Sequence, residues 1–400
     1  MTAVEAPLAR IQLAVLSAAM ILGMTPWFSA TVAAPGMIAE WGTTSTSTAW
    51  LTIAVQVGFV AGTFASAALL LSDRLSARYL ASASALVAGV ATLLLAWRGT
   101  GPTEAIGLRV ITGIALAGVY PPGIKIVAGW WRTRRGTAIG ILVGALTVGS
   151  ATPNLFRVGG AASEWRSIVV AAAAAAMAAA ALFAFAVREG PFHAPSAPFD
   201  PRALLLVVRD RGVVLATAGY LGHMWELYAM WSSIGAFWAF VAPRYALTSG
   251  MAATLAFTTI AAGTLGCILA GTIADRVGRP LVTIVAMCIS GICALMIGPM
   301  IGASLAVLAS IAVLWGISIV ADSAQFSAAV TELAPSRFVG TAITVQTCLG
   351  FLLTIVTIRF VPIWADRWGW ERAYMPLAIG PLLGIVAMWW LWRAVPPQRV

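Results

Sequence analysis

Five ionisable side chains lie inside long apolar runs: Arg109 and Lys125 in one run, His223 and Glu226 in a second, Asp322 in a third. A charge at the centre of a membrane helix costs about 2.5 to 3.5 kcal/mol on insertion scales, so four of them cost on the order of 10 kcal/mol. Such groups are expected to face water, one another or a ligand, not lipid. His223 and Glu226 are three apart, on adjoining positions of one helix face, with Tyr220 before them and Met230 continuing the row of Glu226. A carboxylate held there gains proton affinity by desolvation and loses it beside a cation, and a cavity that alternates between wet and dry switches between the two. Glu226 is therefore the first candidate for a proton carrier, with His223 beside it; a static pair of Glu226 with His223 or with an arginine is the alternative. Asp322, with Gln325 one turn on, reads as a second carrier or a substrate contact, or else as the partner of Lys125 in a cytoplasmic gate.

Arg109 can offer a planar fork to a carboxylate or phosphate. Lys125, the chain's one lysine, follows Pro121-Pro122-Gly123, a break in the helix; it is either a substrate ligand or a side chain snorkelling to the headgroups. Trp27, Phe28, Tyr120, Trp225, Tyr228, Trp231 and Trp238 can stack on a flat or cationic ligand, or serve as interface belts and bundle packing. Asn154, Gln56 and Gln346 are interhelical glue or cavity polar groups. The candidate substrate-binding residues are Arg109, Lys125, Trp27, Tyr120, Tyr228, Gln325 and Asn154. Arg98, Arg157, Arg244, Arg359 and Arg367 sit near span ends as anchors, and Gly140, Gly144 and Gly149 let the fifth span pack closely. Cys267, Cys288, Cys293 and Cys348 lack paired-ligand spacing, and no phosphate loop, HExxH or nucleophile elbow occurs. No catalytic residue, metal site or cofactor is expected, and a proton gradient is the expected energy source.

The elements that must position these residues are membrane spans. The chain is 60% hydrophobic and 10% charged, whereas a soluble domain carries roughly 25% charged residues. At about 20 apolar residues per span, 400 residues hold about twelve spans and no soluble domain. Apolar windows predict spans at 11–33, 49–71, 79–97, 104–129, 136–156, 166–187, 213–241, 249–270, 280–299, 304–330, 339–361 and 373–392. The first run holds Pro26 and lacks a small-residue cleavage site, so it is expected to be a retained span. With the N-terminus in the cytoplasm, about fifteen Arg fall on the cytoplasmic side and about six outside. Arg74, Arg78, Arg132, Arg134, Arg135, Arg202, Arg209, Arg211, Arg276, Arg279 and Arg337 are among the former. The net charge of +10 is thus an orientation signal and not a nucleic-acid surface. Both termini are expected in the cytoplasm, with the chain, as a monomer, in the cytoplasmic membrane. The Pro-rich run from Pro191 to Pro201 divides residues 1–190, a first bundle, from residues 213–400, a second, with 191–212 as linker.

The halves repeat. Ser72-Asp73-Arg74-Leu75-Ser76-Ala77-Arg78 is a weaker copy, 202 positions earlier, of Gly271-Thr272-Ile273-Ala274-Asp275-Arg276-Val277-Gly278-Arg279-Pro280, Gly136-Thr137-Ala138-Ile139 echoes Gly340-Thr341-Ala342-Ile343 at 204, and Trp165-Arg166 echoes Trp370-Glu371-Arg372 at about 205. Asp275 at a helix boundary can accept from helix-end amides and pair with Arg276 or Arg279, a contact that can latch one conformation. The run Gly271-x-x-x-Asp275-Arg276-x-Gly278-Arg279 resembles the loop signature of the major facilitator superfamily. The first copy keeps Asp73, Arg74 and Arg78 but has Leu69, Ser76 and Ala77 where the signature prefers Gly, Gly and Arg. Arg109-Val110-Ile111-Thr112-Gly113 is similar to that family's Arg-x-x-Gln-Gly motif, with Thr in place of Gln.

The resemblance implies an all-α integral membrane protein of twelve transmembrane helices in two pseudo-symmetric six-helix bundles, working by alternating access, and not an enzyme. Spans one, four, seven and ten would line the central cavity. The expected function is proton-coupled uptake of a small organic anion, with proton-driven efflux of drugs or metabolites as the alternative. Gly149-Ser150-Ala151-Thr152-Pro153-Asn154 departs from the Gly-Pro-x-x-Gly-Gly of the superfamily's drug antiporters. Spans two and eight lack the Arg with which its nitrate porters hold their anion.

Overall fold

The computed structural model describes residues 5–131, 135–158, 164–192, 209–335 and 338–394. Arg132, Arg134, Arg202 and Arg337 lie outside the described residues, as does the side chain of Asp73. The described residues are mostly helical, joined by short turns, and include no strand. Eleven helices are long and apolar enough to cross a membrane by length and composition: Pro7–Trp41, Ser45–Ala68, Ala77–Arg98, Pro102–Trp130, Arg135–Phe156, Trp165–Ala186, Ser249–Val277, Arg279–Met296, Leu305–Leu333, Val339–Trp368 and Trp370–Ala394. The remaining expected span, the seventh, is the 31-residue helix Arg211–Val241. His223, Glu226 and a run of tyrosines and tryptophans make it less apolar than the others.

Local chemistry sets the ends. Thr44, Asp210, Thr248 and Ser304 each accept the backbone N–H three residues on with their side chains, capping spans two, seven, eight and ten. Several spans are broken inside. The first breaks between Met24 and Pro26, where proline brings no N–H. Thr25 Oγ1 compensates by reaching the carbonyls of Leu22 at 2.8 Å and Ala172 at 3.1 Å. The fourth span breaks between Leu116 and Tyr120, just before Pro121 and Pro122. The tenth breaks at Asp322, which ends Leu305–Ala321 and begins Ser323–Leu333.

The chain divides into two compact units, Met1–Phe156 with Ala161–Ser196, and Arg157–Gly160 with Ala197–Val400. In the first unit, span two lies along span four, three along four and six, and one along five and six. In the second, eight lies along ten, nine along ten and twelve, and seven along eleven and twelve. Adding six to each span number of the first unit reproduces the second, so the repeat in the sequence is a repeat of neighbours. The tightest of these contacts is duplicated too. A Cβ at Gly58 would meet the carbonyl of Val110 and one at Gly113 that of Val55; a Cβ at Gly266 would meet the carbonyl of Ile317 and one at Gly316 that of Thr259. Spans two and four, and spans eight and ten, therefore touch backbone to backbone.

Candidate functional site

In the second unit the long seventh helix carries Glu226 into the interior, where it is 1% exposed. Its carboxylate accepts the Trp315 indole N–H at 2.6 Å on Oε1 and the Ser290 hydroxyl at 2.9 Å on Oε2. Both donors are neutral, one from span ten and one from span nine. The Trp315 ring stands edge-on to Tyr374 of the last span, with centroids 5.0 Å apart. The Tyr374 hydroxyl lies 3.0 Å from Ser233 Oγ, back on span seven. The carboxylate thus sits where spans seven, nine, ten and twelve converge. The expected alternative of a Glu226–His223 pair does not form, because one turn away the imidazole turns to another span.

His223 Nδ1 lies 2.9 Å from Asp322 Oδ1, and both side chains are buried. The contact has the distance of an ion pair without the alignment of a good hydrogen bond, and His223 Nε2 finds no hydrogen-bond partner among the described residues. Phe326 and Tyr220 close over the imidazole, with ring centroids at 5.6 and 6.1 Å. Asp322 sits at the break of span ten, and its carbonyl accepts the N–H of Gln325 at 2.9 Å. Gln325 in turn accepts Arg279 Nη1 at 2.9 Å. Arg279 also pairs with Asp275 at 2.9 Å and with Glu332 at 3.4 Å. A chain of polar contacts therefore runs from His223 through Asp322 and Gln325 to the loop signature. Within that signature Gly271 is buried, Arg276 is exposed, and Gly278 takes φ 89 and ψ 154, a region that only glycine adopts readily.

The first-half copy is held differently. Ser76, where the signature has Gly278, takes an ordinary φ of −58. Its hydroxyl donates to Glu189 at 2.7 Å, as does the N–H of Arg78 at 3.3 Å. The Arg78 guanidinium reaches the Val187 carbonyl and Tyr79, while Arg74 is exposed.

Arg109 is completely buried, and the fork expected to face a solute is turned elsewhere. Nη1 donates to the carbonyl of Pro26 at 2.7 Å, Nη2 to that of Trp27, and Nε to that of Leu51 at 3.4 Å. A buried guanidinium has to find acceptors, and the break of span one places two carbonyls within its reach. Arg109 thereby clamps spans one, two and four. Trp27 is buried against Phe59 at 4.9 Å. Lys125 and Tyr120 lie partly exposed on the second segment of span four, and Asn154 donates to the carbonyl of Ala151 at 3.1 Å. Tyr228 packs against Phe351 at 5.0 Å and Trp231 at 5.6 Å. The first unit thus holds Arg109, Lys125, Trp27, Tyr120 and Asn154, and the second holds Glu226, His223, Asp322, Tyr228 and Gln325. Gln56 and Gln346 are fully buried, and neither amide finds a partner among the described residues.

Ser290 and Trp315 escaped sequence reasoning. The available signal for Trp315 was an indole in the middle of an otherwise aliphatic span, since a buried indole N–H needs an acceptor; Ser290 offered none.

No curated protein matches the sequence. Among solved structures, the chain resembles a D-xylose-proton symporter with a TM-score of 0.74 at 14% identity, covering 97% of this chain and 98% of the other. It resembles the nucleoside transporter NupG with a TM-score of 0.72 at 14% identity, over 96% and 100%. A bacterial homolog of the human lysosomal transporter Spinster, in an inward-facing and occupied conformation, gives 0.75 at 14% identity, over 97% of each chain. The sequence profile of the Major Facilitator Superfamily matches residues 15–358. With its helical spans, its repeated neighbour pattern and that match over most of its length, the chain belongs to the major facilitator superfamily and is a transporter, not an enzyme.

Proposed function

We propose that this transporter is proton-coupled and that Glu226 carries the proton. The observation that carries the reading is the seat of Glu226: a carboxylate 1% exposed whose two hydrogen-bond donors, Ser290 and Trp315, are both neutral. A buried charge without a cation is costly, and taking up a proton removes the charge while leaving the carboxyl hydrogen-bonded. His223 Nδ1 and Asp322 Oδ1 face each other at 2.9 Å, and no basic side chain among the described residues is hydrogen-bonded to Glu226. The resemblance to a D-xylose-proton symporter accords with proton coupling.

The solute is a small organic molecule taken up with the proton. The case for an organic anion rested on Arg109 and Lys125. With the Arg109 nitrogens on carbonyls, an anion would be met by Lys125. Glu226→Gln in proteoliposomes should abolish accumulation driven by an imposed pH gradient while counterflow of the same solute persists, because exchange needs no net proton movement. Gradient-driven accumulation at the wild-type level by Glu226→Gln would remove Glu226 from the mechanism and pass its role to Asp322.

A further inference from the structure

We infer that the transported proton sits on one particular oxygen of Glu226, Oε2, and that Ser290 is the positioning residue that serves the carboxyl in both its charged and its neutral state. The inference rests on the reading of Glu226 as proton carrier and concerns how that residue is built to exchange its proton.

The two carboxylate oxygens have different kinds of partner. Oε1 accepts from an indole N–H at 2.6 Å. That group is a donor only, so a proton placed on Oε1 would find no acceptor in Trp315 and would weaken the bond that Oε1 receives, and Oε1 is better kept as a bare acceptor. Oε2 meets the Ser290 hydroxyl at 2.9 Å, and a hydroxyl both donates and accepts. Ser290 Oγ has a second acceptor within reach, the carbonyl of Met287 one turn back at 3.3 Å. One hydroxyl hydrogen cannot serve both. With Glu226 ionised, the hydrogen points at Oε2. With Glu226 protonated, the new O–H donates to Ser290 Oγ, and the serine hydrogen swings to the Met287 carbonyl. Every polar atom is satisfied in both states, and the change between them is a rotation of one hydroxyl in a 2% exposed side chain.

The titratable groups around this seat come from each packed span. His223 lies one turn away on the same helix; Asp322 of span ten is paired to it at 2.9 Å. Cys293 is one turn on from Ser290 along span nine and close enough to feel the carboxylate. Tyr374 of span twelve stands edge-on to Trp315. None of these donates a hydrogen bond to Glu226. Trp315 and Ser290 are its direct partners, and they act differently. Trp315 favours the charged form, because a hydrogen bond to an ion is about twice as strong as one to a neutral group. Ser290 offers the anion a donor and the neutral acid an acceptor.

The test is infrared difference spectroscopy of the full-length transporter in lipid, with pH as the variable. The carboxyl C=O band of protonated Glu226 is identified by its loss in Glu226→Gln. Trp315→Phe should move the titration of that band to higher pH. Ser290→Ala should move it much less but shift the band itself to higher wavenumber, because the carboxyl O–H has lost its acceptor; Ser290→Thr should restore the wild-type band. A titration displaced in Ser290→Ala as far as in Trp315→Phe would make Ser290 an ordinary donor to the anion and overturn the inference while leaving Glu226 as carrier. A wild-type protein with no band assignable to Glu226 at any pH would instead sink the proton-carrier reading beneath it. Should Trp315→Phe not fold, the serine variants decide alone: an unshifted band in Ser290→Ala overturns the inference.

Discussion

Gln346 is a primary amide buried at 0% exposure with both its nitrogen and its oxygen unpartnered among the described residues. Leaving such a group unmade costs about 1 to 3 kcal/mol. Replacing it with leucine, which has a similar volume and nothing to satisfy, should raise the melting temperature in detergent and lower the transport rate. A Gln346→Leu protein that is no more stable than wild type would show that the amide has a partner in the folded protein. Single residues were also where the sequence was most readable. Glu226, His223 and Asp322 stand out because one charge in an apolar run is visible without any knowledge of packing. Their partners were not visible. Ser290 is 64 residues from Glu226 and Trp315 is 89, both are uncharged, and only the packing of spans nine and ten on span seven brings them together. Arg109 shows the converse: its burial follows from the sequence, but the acceptors that occupy it are backbone carbonyls, which every residue has and which no residue type announces.

Among the elements, the close approach of spans eight and ten depends on Gly266 and Gly316, just as that of spans two and four depends on Gly58 and Gly113. A methyl at Gly316 has backbone, not a movable side chain, in front of it. Overpacking of that kind costs about 1 to 3 kcal/mol, so Gly316→Ala should lower the melting temperature in detergent by several degrees. A melting curve superimposable on wild type would mean that the two helices separate without cost. The spans themselves are close to where apolar windows put them, since hydropathy reports length directly. The windows were blind to these crossings. They missed the break at Asp322 as well, because helices usually break at proline or glycine and neither marks this one. Pro121 and Pro122 made the equivalent break in span four legible.

For the whole molecule, the arginine asymmetry and the even number of spans place both chain ends on the cytoplasmic side in our reading. A reporter fused at Val400 should then give the opposite side from one inserted between Asp366 and Gly369, and matching signals would overturn the topology. Arg211–Val241 is less apolar than the other eleven spans, and it is the one that carries Glu226 and His223. The residues that lower its hydropathy are those on which the proposed coupling depends. The first unit has a helix in the corresponding place of the repeat.

Duplication also left a mark in the paired breaks. Gly118, within the break of span four, plus the repeat offset of 204 gives 322, so the two interruptions fall at matching positions of the repeat. Their chemistry differs. The first is followed at once by the rings of Pro121 and Pro122. The second carries a carboxylate facing an imidazole at 2.9 Å, so one joint is set by covalent rings within its own helix and its twin by a contact with another span.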